Sequence, residues 1–328
     1  MKHANSKQAL WSIVLAGGEG TRVGYFVQRW LGQRRPKQFC TFVGTRSMLQ
    51  HTLDRAARLA PVERSVLVVA HTHRQETMTQ LDGRGVGTVL FQPANRDTAA
   101  GVFLPLTYVR ARDPQATVVI YPSDHFVYPE ETFLDTVREA VLAAERLHNR
   151  IVLLGVAPDR LELDYGWILP GPRLAYSGTK QVQTILQFLE KPTAQQADKA
   201  LSDKALWNTM VMAVKVETLW ELGRQCFPEL IERFERLGRA IGTSEEARVL
   251  EAIYLTMPAR NFSSDLLQQV PDRVAVTELT NALWSDWGRP ERIAEALRRI
   301  GRTPAFPLEA LSRPFAPISN ETRFPMGV

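Results

Sequence analysis

The strongest constraint on the fold is an alternation of short apolar runs with amphipathic stretches through the first half of the chain. Four runs have the length and composition of buried strands, at residues 11–15, 65–70, 88–91 and 117–121. Apolar residues recur at helical spacing over residues 47–59, 74–81, 98–112 and 135–148, and a further strand is predicted over 151–155. Strands that alternate with helices predict parallel pairing through right-handed crossovers.

The second half predicts longer strands and an antiparallel or mixed extension of this sheet. Predicted strands cover residues 166–169, 181–190, 210–216 and 274–279, and predicted helices cover 193–201, 218–226, 228–237, 245–255 and 290–301. The fold class is therefore α/β, with a Rossmann-like mixed, mainly parallel sheet flanked by helices. We expect one domain over residues 1–301 and an irregular, proline-rich tail over 302–328.

Composition narrows the possible environments. The chain is 45% hydrophobic and 23% charged, as in ordinary globular proteins. No window approaches the roughly 18 consecutive apolar residues of a membrane span, and residues 1–7 lack the apolar stretch of a signal peptide. Cys40 and Cys226 show no paired spacing, so neither a disulfide nor a zinc site is predicted. We expect a cytoplasmic protein without a membrane partner.

Basic residues cluster in the segment 29–37, in a chain whose net charge is +5. A solvated surface is one interpretation of this charge. No nucleic-acid-binding motif frames the cluster, so no nucleic-acid partner is expected. Because the cluster follows a glycine-rich segment, a small molecule that carries phosphate fits this location better.

That segment, "VLAGGEGTR" at residues 14–22, places three glycines directly after the first predicted strand. Glycines between a strand and a helix let backbone N–H groups converge on an anion, although a tight turn alone would also explain them. The patterns GxxxxGK[ST] and GxGxxG are both absent. Arg22 at the loop exit and Lys37 in "RPKQF" add two cations suited to phosphate oxygens, which favours an anion site.

Together with other motifs, these residues resemble the sugar-1-phosphate nucleotidyltransferase family. "LAGGEGTR" and "PKQF" are similar to its signature, in the form found in mannose-1-phosphate guanylyltransferases. Further segments resemble family motifs in the family's order, namely "QPANRDTAAG" at 92–101, "YPSDHF" at 121–126, "FLEKP" at 188–192, "LWNT" at 206–209 and "WSDWG" at 284–288. The resemblance spans residues 11 to about 300.

The resemblance implies transfer of a nucleotidyl group, with GTP and mannose-1-phosphate as the expected substrates and pyrophosphate as a product. Arg22 and Lys37 would be catalytic and hold the triphosphate. The implied nucleotide-binding residues are Leu15, Ala16, Gly17, Gly18, Gly20, Thr21, Gln92, Arg96, Asp97 and Thr98. The implied sugar-phosphate-binding residues are Tyr165, Gly166, Glu190, Lys191 and Asn208.

The expected cofactor is Mg²⁺, held by Asp124 and Asp286. Asp124 follows a predicted strand at its carboxyl end, where open parallel sheets place ligands. Magnesium prefers oxygen ligands and typically takes one or two carboxylates together with phosphate oxygens. The alternatives are that Asp124 caps the following turn and that Asp286 is a surface acid.

The sequence departs from the family pattern at several positions. Residues 23–35 are expected to form an altered loop, and Met210 stands where the family usually has glycine. Asp97 stands where the family usually has asparagine. A capping role at the start of the helix predicted over residues 98–112 would explain Asp97 without a ligand. The base and the sugar therefore stay open.

Two other functions remain as alternatives: a nucleotide-sugar-binding regulatory protein without turnover, and a nucleotidyltransferase with a different sugar or acceptor. We expect no left-handed β-helix of the kind that many relatives carry, because only 27 residues follow residue 301 in this sequence. A homodimer through other surfaces is possible.

Overall fold

The computed structural model describes residues 9–311 of the 328-residue chain. Its strands are β1 (Leu10–Ala16), β2 (Ser65–Ala70), β3 (Thr88–Gln92), β4 (Thr117–Pro122), β5 (Phe126–Tyr128), β6 (Ile151–Val156), β7 (Trp167–Ser177), β8 (Lys180–Leu189), β9 (Leu206–Lys215), β10 (Val274–Glu278) and β11 (Leu283–Ser285). Its α-helices are α1 (Thr21–Leu31), α2 (Met48–Ala57), α3 (Arg74–Leu81), α4 (Asp97–Arg112), α5 (Glu130–Arg146), α6 (Ala194–Ser202), α7 (Val216–Cys226), α8 (Pro228–Ala240), α9 (Glu246–Thr256) and α10 (Pro290–Arg299).

Within residues 9–311, nine strands form one sheet in the order β3-β2-β1-β4-β9-β6-β10-β8-β7. β1 pairs in parallel with both β2 and β4, β2 with β3, and β6 with β10. β8 and β9 run opposite to the other strands of this sheet. The predicted mixed, mainly parallel α/β sheet is confirmed.

Helices cover both faces of the sheet. Side chains of a strand alternate between the two faces, and apolar side chains on each face pack against helices. In β4, Val118 and Ile120 join the apolar layer under α4, α7 and α8, whereas Val119 and Tyr121 join the layer under α2 and α5. A strand buried on both faces reads as a continuous apolar run, which explains why β1 and β4 could be predicted from the sequence.

The expectation of a loop over residues 23–35 is wrong, because α1 continues to Leu31. Val23, Phe26 and Val27 are buried at helical spacing, and they pack against a cluster that contains Trp287. Gly32 caps the end of the helix, with a φ of 71° in the left-handed region that glycine adopts readily. The sequence carries this amphipathic pattern, and the departure from the family motif does not interrupt the helix.

Of the predicted tail, residues 302–311 lie along the molecule. The backbone N–H of Ala305 donates to the carbonyl oxygen of Phe42 over 2.9 Å, and Phe306 is buried. Residues 312–328 lie outside the described part of the chain. Within residues 9–311 no β-helix follows α10, and no helix there is both long and apolar enough to cross a bilayer.

Candidate active site

The glycine loop joins β1 to α1 and leaves one glycine facing open space. A Cβ added at Gly17 would lie 2.7 Å from Oε1 of Gln92, and one at Gly20 would lie 2.8 Å from the backbone nitrogen of Lys37. Gly20 also has a φ of 61°. At Gly18, by contrast, an added Cβ would meet no atom within 4 Å. Gly20 is therefore required by the backbone of Lys37 and by its own conformation, a side chain at Gly17 would have to displace the amide end of Gln92, and the backbone of Gly18 is accessible to a ligand.

Gln38 holds this loop in place. Its buried amide nitrogen donates to the carbonyl oxygens of Ala16 and Gly18 at 3.0 and 2.8 Å. The carbonyl oxygen of Leu15 accepts from the backbone N–H of Ser123 over 2.9 Å, which ties β1 to the end of β4. Gln38 lies within the motif "PKQF", and the sequence predicts no role for it.

Two cations and two carboxylates from four segments meet beside the loop. The Nζ atom of Lys37 lies 2.8 Å from Oδ2 of Asp124, and it also donates to the main-chain carbonyl oxygen of Asp286. Nη2 of Arg22 lies 2.7 Å from Oδ2 of Asp286. The structure thus brings together all four residues that the sequence suggested for catalysis and metal binding.

The topology of the sheet explains this convergence. The chain proceeds from β1 to β2 and β3 on one side, and β4 returns to the other side of β1. Such a reversal opens a crevice at the carboxyl ends of the two central strands, where α/β proteins bind ligands. Gly17 follows β1 and Asp124 lies two residues beyond β4, so both occupy this crevice.

Both carboxylates are held in the charged form. Burial is the largest single effect on Asp124 and opposes its ionisation, but the charges of Lys37 and His125, together with hydrogen bonds from Lys37 and from the backbone, outweigh it and lower the pKa of Asp124 to about 2. Burial likewise opposes ionisation of Asp286, and Lys37, the Tyr165 hydroxyl and Arg22 together lower its pKa. Two ionised carboxylates at neutral pH provide oxygen ligands of the kind that Mg²⁺ prefers.

Among the described residues, no group of three or more His, Cys, Asp or Glu side chains could hold a metal ion. Asp124 and Asp286 fit a Mg²⁺ site in which phosphate oxygens or water complete the coordination, as is usual for this ion. The Asp124 side chain is 36% exposed and the Asp286 side chain 5%. Asp124 is therefore the more accessible of the two.

Three donors hold the inward side of Asp286: Tyr165, for which the family resemblance implied a sugar-phosphate contact instead, and Arg292 and the backbone of Gly288, which the sequence did not suggest. The Oδ1 atom of Asp286 accepts from the Tyr165 hydroxyl, from Nη1 of Arg292 at 3.2 Å and from the backbone N–H of Gly288 at 2.9 Å. A Cβ at Gly288 would lie 2.7 Å from the guanidinium carbon of Arg22, so a side chain there would separate Arg22 from Asp286. The sequence signals for this arrangement were Tyr165, expected at the sugar phosphate, and the glycine of "WSDWG"; nothing in the sequence pointed to Arg292.

The candidate base-binding residues lie beside α9. The amide nitrogen of Gln92 donates to the hydroxyl of Tyr254 over 3.1 Å, and both side chains are buried. The Arg96 guanidinium donates to the carbonyl oxygens of Tyr254 and Leu255, at 2.7 Å and 3.2 Å for its Nη2 atom. The structure therefore places Arg96 against the end of α9, where it satisfies carbonyl groups that the helix leaves unpaired.

Asp97 and Thr98 connect the start of α4 to the segment that follows α9. Asp97, with a φ of 61°, accepts from the backbone N–H of Thr98 and from the Asn261 amide. The Thr98 hydroxyl oxygen accepts from the backbone N–H of Phe262 over 2.8 Å. Thr21, the first residue of α1, and Leu15 and Ala16 in β1 lie beside the glycine loop.

The candidate sugar-binding residues meet because β7 also pairs with β9, which curls this end of the sheet. The backbone N–H of Asn208 donates to the carbonyl oxygen of Gly166 over 2.8 Å. A Cβ at Gly166 would lie 3.1 Å from Oε2 of Glu190. Burial raises the pKa of Glu190, against the opposing effects of Lys191 and Ser263.

Two aromatic residues and two strained backbone positions border this side of the site. Trp207 and Trp284 are buried and pack edge-on against Tyr165 at centroid distances of 5.1 and 5.3 Å. Lys191 and Met210 have φ values of 45° and 56°, in a region that L-residues seldom adopt. Such strain often accompanies functional sites.

An α/β sheet with a glycine loop after its first strand, and with paired cations and carboxylates at the crevice, defines a protein of the phosphate-handling, nucleotide-binding class. The model of the family described as Nucleotidyl transferase matches residues 11–302, which is most of the chain. The chain belongs to this family. The family expected from the sequence motifs is confirmed.

Individual relatives agree with this assignment. The chain is 27% identical over 290 residues to a mannose-1-phosphate guanylyltransferase of Escherichia coli (strain K12), covering 86% of this chain and 59% of that protein. It is 28% identical over 298 residues to the xanthan biosynthesis protein XanB of Xanthomonas campestris pv. campestris (strain B100), covering 88% of this chain and 60% of the relative. The chain thus spans about three fifths of these relatives' length.

A solved structure from Thermus thermophilus, described as a mannose-1-phosphate geranyltransferase, is also similar. The two chains are 29% identical, with a TM-score of 0.72, over 87% of this chain and 79% of the other. The similarity thus extends to the arrangement of the sheet and helices.

Proposed function

We propose that this protein transfers a nucleotidyl group from a nucleoside triphosphate to a hexose-1-phosphate, with GTP and mannose-1-phosphate as the favoured pair. The convergence of Arg22, Lys37, Asp124 and Asp286 beside the glycine loop carries this proposal. The names of the E. coli and Xanthomonas relatives support an enzyme of nucleotide-sugar supply for polysaccharides.

In the proposed reaction, an oxygen of the sugar phosphate attacks the α-phosphorus of the triphosphate, and pyrophosphate leaves. No protein nucleophile is required, so the protein acts by positioning the reactants and stabilising charge on phosphate oxygens. The Gly18 backbone would approach the triphosphate, and Arg22 and Lys37 would neutralise its charge. Glu190 and Asn208 would contact the sugar.

Asp124 and Asp286 would be the protein ligands of Mg²⁺, which would supply positive charge to stabilise the phosphate oxygens. In this structure Lys37 pairs with Asp124 and Arg22 pairs with Asp286. Lys37 and Arg22 are therefore positioned to exchange these carboxylate partners for phosphate oxygens when the substrate binds.

The test is release of pyrophosphate from GTP, mannose-1-phosphate and Mg²⁺. Asp124→Asn keeps the shape of the side chain and removes its charge, and we expect it to abolish most of the turnover. Asp135→Asn removes an equal charge from a side chain that is 69% exposed on α5, and it should leave the turnover unchanged. No pyrophosphate with any common triphosphate and hexose phosphate would reject the proposal, and tight binding of a nucleotide-sugar in that case would favour a regulatory protein.

A further inference from the structure

The two oxygens of Asp286 lie in different surroundings. Oδ1 faces inward and accepts from Tyr165, Arg292 and Gly288, whereas Oδ2 faces Arg22, whose side chain is 48% exposed. Three donors on one oxygen fix both the position and the rotation of the carboxylate. Only Oδ2 is then turned toward the crevice.

Arg292 is the centre of this inward network. It lies in the first turn of α10 and is buried, and its Nη1 atom also donates to the Tyr165 hydroxyl oxygen over 2.7 Å. Its guanidinium carbon lies 5.2 Å from the centroid of the Tyr165 ring, and its Nη2 atom forms an ion pair with Glu162. Glu162 is itself buried and accepts from the backbone N–H of Asp164 over 3.0 Å.

We infer that Arg292 and Tyr165 are positioning residues that hold Asp286 with Oδ2 directed to a divalent cation in the crevice. This inference deepens the proposed function and rests on it. Groups that orient a metal-binding carboxylate are part of the site even though they do not touch the metal, and their loss typically weakens metal binding or activity about 10- to 100-fold. The inference gives the Tyr165 hydroxyl a role different from the sugar-phosphate contact implied by family resemblance.

The two roles of Tyr165 predict different measurements. Tyr165→Phe keeps the ring between Trp207 and Trp284 and removes only the hydroxyl. If the hydroxyl positions Asp286, the dissociation constant for Mn²⁺ should increase about 10-fold or more, with little change in the KM for mannose-1-phosphate. If the hydroxyl binds the sugar phosphate, that KM should increase and Mn²⁺ binding should stay unchanged.

The experiment uses the full chain and Mn²⁺ as a spectroscopic probe. Electron paramagnetic resonance would report bound Mn²⁺ in the protein alone, and again with GTP but without a sugar phosphate, so that no turnover is required. Arg292→Met should weaken Mn²⁺ binding as Tyr165→Phe does, and Arg292→Lys should restore part of the affinity because it keeps the charge with fewer donors. The double variant of Tyr165→Phe and Arg292→Met should lose little more than either single variant, because the two residues act as one unit.

Arg299→Met is the matched control, since Arg299 also lies on α10 and pairs with Asp159 at 3.0 Å, with half of its side chain exposed. It should bind Mn²⁺ as the unsubstituted protein does.

If Arg292→Met does not fold, because Glu162 is left buried without its partner, adding Glu162→Gln removes that charge and allows the same measurement. Unchanged Mn²⁺ affinity in folded Tyr165→Phe and Arg292 variants would overturn the inference, as would a lack of bound Mn²⁺ in the unsubstituted protein under both conditions. Weakened Mn²⁺ binding in a protein that shows no turnover would instead reject the proposed function and keep the inference.

Discussion

The ammonium of Lys37 lies 2.8 Å from the carboxylate of Asp124, and this ion pair joins the segment after α1 to the end of β4. Only 4% of the Lys37 side chain is exposed, whereas 36% of Asp124 is. Lys37 also donates to the carbonyl oxygen of Asp286, so one buried cation contacts both candidate metal-binding residues. A phosphate that competes for Lys37 would thus release an oxygen of Asp124.

Replacing Lys37 with Met should remove most of the activity and reduce stability. The carbonyl oxygen of Asp286 would lose its hydrogen-bond donor, and Asp124 would lose its counter-charge. Because Asp124 is partly exposed, solvent would limit the stability lost at that carboxylate. We expect a decrease of about 1–3 kcal/mol in the free energy of unfolding, measured by urea denaturation. Turnover should fall roughly 100- to 1000-fold, the usual effect of removing a group that stabilises a developing charge.

The double variant of Lys37→Met and Asp124→Asn is the control for this interpretation. Removing both charges should recover part of the lost stability and none of the turnover, because the unpaired carboxylate is gone while the catalytic cation is still missing. A double variant that is less stable than Lys37→Met alone would show that the ion pair is not the source of the effect.

The three glycines of the loop should respond differently to substitution by Ala. Gly17→Ala and Gly20→Ala should lower both the melting temperature and the affinity for triphosphate, because each new methyl group meets Gln92 or Lys37. Gly18→Ala should change the free energy of unfolding by less than about 0.5 kcal/mol, since nothing lies within 4 Å of its Cβ, and yet raise the KM for GTP roughly 10-fold or more. Unaltered GTP binding by Gly18→Ala would mean that the triphosphate does not approach this backbone.

The contact between Gln92 and Tyr254 should control base preference. A guanine edge has hydrogen-bond donors at N1 and N2, and the amide oxygen of Gln92 can accept hydrogen bonds from them. The amide nitrogen of Gln92 donates to the Tyr254 hydroxyl over 3.1 Å, which fixes the orientation of the amide. In Tyr254→Phe the amide is free to rotate, so we expect the preference for GTP over ATP, measured as a ratio of kcat/KM values, to fall about 10-fold.

Tyr108→Phe is the matched control, because the Tyr108 hydroxyl donates to Glu246 over 2.7 Å, outside the set of residues proposed to bind substrate. It removes one partly buried hydrogen bond and should leave the GTP-to-ATP ratio unchanged. Equal losses for both triphosphates in Tyr254→Phe would assign this hydroxyl to stability alone.

The sequence predicted the parts of the site that follow directly from strands. Gly17 and Asp124 could be placed because each comes just after a continuous apolar run, and the carboxyl ends of parallel strands meet at one edge of the sheet. The same local reasoning placed α3 at its observed bounds. It did not find β5 and β11, because three residues are too few to show a period.

The contacts that hold the site depend on residues far apart in the chain. Arg292 reaches Tyr165 from 127 positions away, and Tyr254 reaches Gln92 from 162 positions away. Local periodicity shows only that Arg292 lies on an amphipathic helix and Tyr254 on a half-buried one. Their partners are set by how α9 and α10 pack against the sheet, which no short pattern specifies.

The raised pKa of Glu190 leads to a stability test that depends on pH. Because burial raises this pKa, the folded protein holds a proton on Glu190 more readily than the unfolded chain does. The stabilisation from protonated Glu190 is therefore present below the unfolded pKa and is lost as pH rises through the folded pKa. At pH 7 the ionised carboxylate is less favourable in the folded state than a neutral group of the same shape would be.

Glu190→Gln should accordingly be more stable than the unsubstituted protein at pH 7, and the difference should shrink as the pH falls toward 4. Glu251→Gln removes an equal charge from an exposed position on α9 and controls for the loss of charge alone. If Glu190 accepts hydrogen bonds from the sugar, the same substitution should raise the KM for mannose-1-phosphate roughly 10- to 100-fold, the effect of losing a charge-assisted hydrogen bond. A gain in stability together with a loss of sugar affinity would indicate that this buried carboxylate is retained for binding, and a gain without any loss would remove Glu190 from the proposed site.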